Sequence, residues 1–307
     1  MKKTLLIIMA ALMLFTFAST SYASEDDGSI VIGMDADATS LDPRFVTTAN
    51  GMYVTSQIYN GLIKLNKNLE YVPDLATFEN PSKTEYVFNL KKGVKFHDGH
   101  ELTAEDVKYT FESMLNPDVG SPKSGNYKNL VGAEEFRDGE AEHVKGIEII
   151  DDYTVKFEVK EPFAPFMVNM NIGIVPKHIA EDEEKDLDEN PVGTGPFAFS
   201  EREVDQKTVL VANEDYFEGS PKLDKAIYKI VPESSVGVVE LETGAIDVLM
   251  SVTEDDRRTI EKNDELVLSS IAGTNYQYVG FNVTKEPVNN KYLRKAIAYS
   301  LDKEAIT

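Results

Sequence analysis

The sequence predicts an α/β protein large enough for two domains. Three observations carry that expectation. Strand-like and helix-like segments alternate along most of the chain. Apolar residues make up 42% of it, the proportion of a packed globular protein and not of a disordered one. Its 307 residues exceed the usual span of about 100–200 residues for one domain.

The first residues read as an address. Lys2 and Lys3 precede an unbroken apolar run from Leu5 to Phe15, and Ser21-Tyr22-Ala23 has the small-x-small pattern of a cleavage site. A secretory signal peptide over residues 1–23 is expected, its apolar run being too short for a permanent membrane span. The sequence has no cysteine, and Ala23-Ser24 stands where a lipid-modified secretory protein needs one. The expectation is therefore free export to a periplasm-like space. Disulfides, Cys-ligated metals and a Cys nucleophile are excluded. With 31 basic and 53 acidic residues the formal charge is −22, a field that repels nucleic acid and anionic lipid. It favours cationic or zwitterionic ligands, or simply keeps an acidic surface soluble; charge alone does not choose.

Ile30 to Met34 reads as a buried strand and Asp35 to Pro43 as a loop. Val54, Ile58 and Leu62 at i, i+4 and i+8 predict a helix from Gly51 to Leu62. Tyr86 to Leu90 alternates as a strand, Lys91-Lys92-Gly93 turns it, and Val94 to Phe96 reads as a second short strand. Thr103 and Asp106 have capping-box spacing ahead of a helix with Val107, Phe111, Met114 and Leu115 on its buried stripe, stopped by Asn116-Pro117. Ser121 to Glu142, rich in Gly, Ser, Lys and Glu, reads as a mobile surface loop.

Val144–Ile150 and Tyr153–Val159 around Asp151-Asp152 predict a hairpin. Short helices follow at Pro162–Asn171 and from Pro176, where Pro opens a helix. After an acidic run, Asn190 to Phe197 forms a rigid turn, read as the crossing back between domains. Strands are expected at Thr208–Val211, Ala226–Val231, Ile246–Leu249 and Tyr276–Phe281, and helices at Val236–Glu242, closed by Gly244, and Glu254–Lys262. Asn289 or Asn290 caps a helix marked by Leu293 and Ile297, and Asp302 begins another that the chain does not finish.

Enzyme signatures are scarce: there is no Gly-x-Ser-x-Gly and no His-Glu-x-x-His, and Gly193-Thr194-Gly195 lacks both a third glycine and a P-loop lysine. His97-Asp98-Gly99-His100 is the one dense polar cluster. It reads either as the start of a metal site or as a strand-to-helix turn. The turn is favoured, because no matching Glu or His pair stands nearby in sequence. His143 and His178 look isolated. Asp151-Asp152 and Asp255-Asp256 fall at a turn and a helix start, where solvation explains them. Asn275-Tyr276-Gln277-Tyr278 offers apolar area with polar tips, suited to a ligand cleft or to ordinary strand alternation.

Several ordered blocks are similar to one family. They include Ser40-Leu41-Asp42-Pro43, Ile58-Tyr59-Asn60-Gly61-Leu62, Pro73-Asp74-Leu75-Ala76 and Phe88 to Gly99. They continue with Leu102 to Val107, Asn190 to Phe197, Asn213 to Gly219, Leu241 to Val248 and Leu293 to Lys303. Their order and spacing resemble the dipeptide/oligopeptide/nickel solute-binding proteins of ABC importers, bacterial extracellular solute-binding protein family 5. The resemblance implies a type II periplasmic-binding-protein-like, bilobal α/β fold with an extra inserted α+β subdomain and a truncated C-terminal lobe. Residues 24–61 and 190–281 would form lobe I, 62–189 the inserted subdomain and 282–307 the start of lobe II.

It also implies a periplasmic monomer without cofactor, metal site or catalytic residue, which holds a short peptide between its lobes and hands it to the permease subunits. Backbone contacts map to Thr47, Thr48 and Ala49, and Asn275, Tyr276 and Tyr278 fall near the crossing between lobes. The family's ammonium-binding Asp would lie beyond Thr307, so weak or no peptide binding is expected of the chain as it stands. A nickel chelate, an opine or an oligosaccharide is the alternative ligand. A secreted hydrolase using His97, Asp98 or acidic pairs, or a structural or chaperone-like surface protein, is the alternative class.

Overall fold

Strand β1 (Ser29–Met34) forms where the apolar run at Ile30 predicts it, and pairs in parallel on both sides, with β10 (Lys225–Ile230) and β11 (Val248–Leu249). The computed structural model describes residues 28–182, 184–270 and 278–303, so the expected signal peptide lies outside the described residues. The sheet has the order β11-β1-β10-β9-β8, with β9 (Lys207–Ala212) and β8 (Phe197–Glu203) running antiparallel beyond β10. The periodicity misses β8 because only its first half is apolar. Beyond Phe199 the register shifts and Ser200-Glu201-Arg202-Glu203 runs polar, the bulge and charges that blunt an edge strand.

Helix α1 (Ala49–Ile58) packs Val54 and Ile58 into a core with Met34, Leu41, Leu210 and Tyr228. The helix ends four residues short of the predicted Leu62. Its Ile58 carbonyl accepts the Gly195 N–H (2.8 Å) from a returning segment, and Tyr59 is extended. Leu62 keeps the apolar spacing because it enters a different core.

That second core gathers buried residues from Leu62 to Ile174. A four-stranded antiparallel sheet supplies one side, in the order β4-β5-β7-β6: β4 (Ala76–Glu79), β5 (Glu85–Leu90), β7 (Thr154–Glu158) and β6 (Ile147–Asp151). Helix α2 (Ala104–Leu115) covers it, with Phe111 edge-on to Phe157 at 5.0 Å and Phe157 edge-on to Phe88 at 5.6 Å. The predicted cap is present: the Asp106 carboxylate accepts the Thr103 N–H (2.9 Å), and its other oxygen accepts the Lys177 N–H (2.9 Å). The second bond fixes α5 (Lys177–Ala180), opened by Pro176. A small hairpin, β2 (Ile63–Leu65) with β3 (Tyr71–Pro73), precedes the sheet. These three-residue strands and β4 are too short to show a period.

Two expectations are corrected. Val94 to Phe96 is not a full strand: it makes one isolated bridge, Lys95 to Glu101, because the turn at 97–99 brings back only the short segment 100–102. Ser121 to Glu142 is not a loose loop. It contains a 3-10 turn (Ser124–Tyr127) and helix α3 (Ala133–Arg137), and Tyr127, Leu130 and Ala133 are buried. Its polar composition hides apolar anchors spaced three apart, with Tyr127 edge-on to Phe111 at 5.2 Å. A short helix α4 (Phe166–Asn169) completes this half.

After β10, α6 (Ser234–Glu242) leads to β11 and α7 (Glu254–Ile260). Contacts divide the chain into two units at Leu266/Val267. In the second, Asn290 caps α8 (Lys291–Ser300) by accepting the Tyr292 N–H (2.9 Å), as predicted; no residue of this helix is buried. The expected strand at Tyr276–Phe281 falls partly outside the described residues. Residues 278–281 are not in a strand.

The insertion leaves the first sheet at residues 59–62 and returns at 190–195. A Cβ on Gly195 would lie 2.2 Å from the Gln57 carbonyl, and one on Gly193 2.1 Å from that of Ile58. Only glycine admits this approach. Replacing Gly195 with Ala is expected to cost about 1–3 kcal/mol by overpacking, read as a lower urea midpoint at unchanged m-value.

Candidate functional site

The carboxyl ends of β1, β10 and β11 share one edge of the sheet, the edge at which open α/β sheets bind ligands. The loop after β1 brings the start of α1 there. Asn50 Nδ2 donates to Asp35 Oδ1 (3.0 Å) and to the Ala36 carbonyl (2.9 Å). Arg202 pairs with Asp37 at 3.1 Å, and Asp37 also accepts the Asp205 N–H (2.9 Å), closing the rim from β8.

The loop is held from below by a buried ion pair. Arg44 donates to Asp42 through Nη2 (2.7 Å), Nε (3.1 Å) and its own backbone N–H (2.9 Å). Burial opposes the guanidinium charge, but the Asp42 carboxylate outweighs it and raises the Arg44 pKa. The insertion grips the same loop: Ser121 Oγ donates to the Arg44 carbonyl (2.6 Å) and Lys123 Nζ to the Pro43 carbonyl (2.7 Å). Burial pushes Lys123 down to about 8, against the attraction of Asp42.

This scaffold presents the predicted residues in sequence. Thr47 and Ala49 are exposed, and Thr48 is half-buried as the N-cap, its Oγ1 accepting the Gly51 N–H (3.3 Å). Among the described residues no hydrogen bond engages Thr47, and the first turn of α1 carries no acidic side chain. Among the described residues the Ala49 and Asn50 N–H groups have no acceptor and remain free to donate. Of the aromatic candidates, Asn275 and Tyr276 lie outside the described residues. Tyr278 is 78% exposed in the second unit.

A cavity of about 630 Å³ opens on the other end of α1, lined among others by Gln57, Asn60, Lys64, Asp74, Lys123 and Tyr216. The sequence reading missed it, since its walls come from segments far apart in the chain. Asn60 organises it: its Nδ2 donates to Asp74 (3.0 Å) and to the Tyr216 hydroxyl (3.2 Å), and its Oδ1 accepts from Thr194 Oγ1 (3.1 Å).

The four histidines separate by role. His97 is structural: its Nδ1 accepts the Gly193 N–H (3.3 Å) and its Nε2 donates to the Gly195 carbonyl (3.0 Å). Burial lowers its pKa, against the pull of that carbonyl. Both ring nitrogens are committed, so His97 offers a substrate no free lone pair. His143 faces Glu112 at 3.2 Å. His178 is not isolated as its sequence position implies: its Nε2 stands 2.6 Å from Asp98 Oδ2, which is 3.1 Å from His100 Nδ1. Eighty residues of intervening chain hid this cluster. Asp151-Asp152 lies in the hairpin turn, and Asp256 accepts from Thr253 Oγ1 (2.6 Å) at the start of α7.

Residues 70–307 match the family described as bacterial extracellular solute-binding proteins, family 5 Middle. The oligopeptide-binding protein AppA of Bacillus subtilis is 32% identical over 92% of this chain and 51% of its own length. Its structure in complex with a nonapeptide superposes with a TM-score of 0.77 at 30% identity, covering 91% of this chain and 54% of that one. MoaA of A. tumefaciens R10, in complex with mannopinic acid, gives a TM-score of 0.76 at 26% identity over 91% and 56%. NikZ of Campylobacter jejuni, in complex with Ni(L-His), gives 0.74 at 25% over 91% and 54%. The chain thus spans about half the length of the curated relatives it matches. Its fold is the type II periplasmic-binding-protein-like fold of these neighbours.

Replacing Asp42 with Asn strands a buried guanidinium and is expected to cost about 3 kcal/mol in urea unfolding. Lys123 produces a pH dependence of the same sense as acid denaturation, but in an alkaline window. Between pH 8 and its ordinary value near 10.5 the unfolded state binds more protons at this lysine. Stability from this group is therefore lowest below pH 8 and rises with pH through that window. Unfolding free energy of the wild type is expected to climb relative to Lys123→Met between pH 7.5 and 10, the two compared at each pH.

Proposed function

Because the chain belongs to the bacterial extracellular solute-binding proteins of family 5, we propose that it is the ligand-capturing part of an ABC importer for short peptides. The protein works in the periplasm or at the cell exterior and delivers its ligand to membrane permease subunits without chemical conversion. The observation that carries the reading is the match, over nine-tenths of the chain, to an oligopeptide-binding protein seen with a bound nonapeptide.

The geometry supports it. Thr47, Thr48 and Ala49 offer backbone groups at the carboxyl edge of three parallel strands, and recognition through a peptide's main chain tolerates varied side chains. The acidic balance of the chain favours a ligand with an ammonium group. Asn275, Tyr276 and Tyr278 are proposed to face the same ligand from the crossing toward the second lobe. The separate core from Leu62 to Ile174 supports the division into a sheet domain (24–61 and 190–281), an insertion (62–189) and the start of a second lobe (282–307).

A second reading has one specific support. The mannopinic acid complex of MoaA superposes almost as well as the nonapeptide complex, so a sugar–amino-acid conjugate is the competing ligand class.

The test uses the protein at the full length its genome encodes, titrated calorimetrically with di-, tri- and nonapeptides and with mannopinic acid. Peptide binding supports the proposal; saturable binding of mannopinic acid alone, or of none of them, overturns it. Ala49→Pro separates the site from the fold. Proline is favoured at the first helical position, and Thr48 is already extended (φ −101°, ψ 152°), as a residue before proline must be. The variant is expected to keep its melting temperature while losing one backbone donor, worth about 1 kcal/mol or several-fold in peptide affinity. Unchanged affinity removes Ala49 from the site.

A further inference from the structure

We propose that Asp98, His100 and His178 form a binding site for one borderline divalent cation of the zinc class, joining the turn at residues 97–100 to helix α5. Their ligand atoms all lie within 4.8 Å of one another. Asp98 Oδ2 is 2.6 Å from His178 Nε2 and 3.1 Å from His100 Nδ1, and the two imidazole planes are tilted by 35° with ring centres 3.9 Å apart. Two nitrogens and one carboxylate oxygen thus converge on one point from separate elements.

The convergence is prepared by the backbone. Gly99 has φ +92°, a left-handed value that lets residues 96–100 close a tight turn, with its N–H on the Phe96 carbonyl (2.9 Å). The Asp98 carboxylate is aimed by its other oxygen, which accepts the His100 N–H (3.1 Å) and leaves Oδ2 toward the rings. His97, half-buried and bonded to Gly193 and Gly195, fixes the root of the turn. His178 is placed by α5, whose first N–H is held by Asp106 and whose Ala180 carbonyl accepts the Tyr109 hydroxyl (2.8 Å). Among the described residues no lysine or arginine pairs with Asp98. Its partners are ring nitrogens that bind a proton or a metal.

The donor set selects the ion. Imidazole nitrogen suits zinc, nickel, cobalt and copper, whereas calcium and magnesium require oxygen ligands. An ion bound at about 2.0–2.2 Å by each group separates the donors to about 3.3 Å. That asks each of the two Asp98–imidazole distances, 2.6 and 3.1 Å, to open by less than about an ångström. The three protein ligands leave a coordination position for water or an external group. None of the three residues lines the 630 Å³ cavity or the start of α1, so the site is independent of peptide capture.

The test is competition between the metal-stripped protein and a chromophoric chelator for ZnCl2, with MgCl2 as control. The wild type is expected to bind one zinc equivalent and no magnesium at this cluster. His100→Ala, His178→Ala and the near-isosteric Asp98→Asn are each expected to weaken zinc binding by at least about tenfold, with circular dichroism unchanged. His143→Ala should bind as the wild type does. Zinc should raise the melting temperature of the wild type and not that of His178→Ala. Failure of the wild type to bind zinc at millimolar concentration, or undiminished binding by the His100→Ala/His178→Ala double variant, overturns the assignment.

Discussion

The structure depends on two crossings of the chain that lie in backbone contact. At residues 58–62 the polypeptide leaves the parallel sheet, and at 190–195 it comes back. The Gly195 N–H bonds to the Ile58 carbonyl, the His97 N–H to the Gly193 carbonyl (2.8 Å), and the Leu62 N–H to that of Met170 (3.1 Å). The first of these satisfies the Ile58 carbonyl, the last of α1. Side chains repeat the connection: Asn60 links Thr194 to Asp74, and His97 spans Gly193 and Gly195. Two apolar cores, each with its own sheet, are thereby fixed around one joint.

A second constraint shapes the opposite end of α1. Exposing the short stretch from Thr47 to Ala49 requires that the residues before it be immobile. The Asp42–Arg44 pair accomplishes this at the cost of burying two charges. Such a pair is not stabilising relative to an apolar substitute, because desolvation consumes most of the attraction. Its value here is geometric. Three bonds from Arg44 to one carboxylate, two more from the insertion to the Pro43 and Arg44 carbonyls, and one from the Leu41 N–H to Asp188 (2.5 Å) leave the loop a single path. The insertion therefore helps position the sheet domain's own loop, although it contributes no strand to that sheet.

Local order was legible where one segment decides its own structure. The alternation at Tyr86–Leu90, the Thr103–Asp106 cap, Pro176 as a helix opener and Asn290 as an N-cap all rest on neighbours within a few residues. What the sequence hid is what distant segments decide together. The end of α1 is set by Gly195, more than 130 residues on. The edge strand β8 exists only through β9, and residues 94–96 make a single bridge because their partner, 100–102, is too short for a ladder. Tyr127 and Leu130 read as loop because their anchoring surface, around Phe111, lies outside their own window. For the candidate site the motif at 47–49 was placed through resemblance, and the cavity beside Asn60 carried no local signal at all. The histidine cluster was half legible: its turn was read correctly as a turn, and only folding brought His178 to it.

The two ends of α1 divide the labour of one helix. Its last carbonyl, that of Ile58, is taken by the returning chain, so that end is a structural bearing. Its N-terminal donors are taken only in part: Thr48 Oγ1 accepts from Gly51, and Ala49 stays exposed with no acid beside it to compete. A helix start of this kind attracts acceptor groups such as a peptide carbonyl or a carboxylate. The surrounding chain, with a formal charge of −22, repels free anions. The two effects act over different ranges. The helix end works within a turn, whereas the net charge acts out to about the screening length of roughly 10 Å. A ligand that satisfies both must present an acceptor locally while carrying no net negative charge. Zwitterionic peptides meet that condition, and simple carboxylic acids do not.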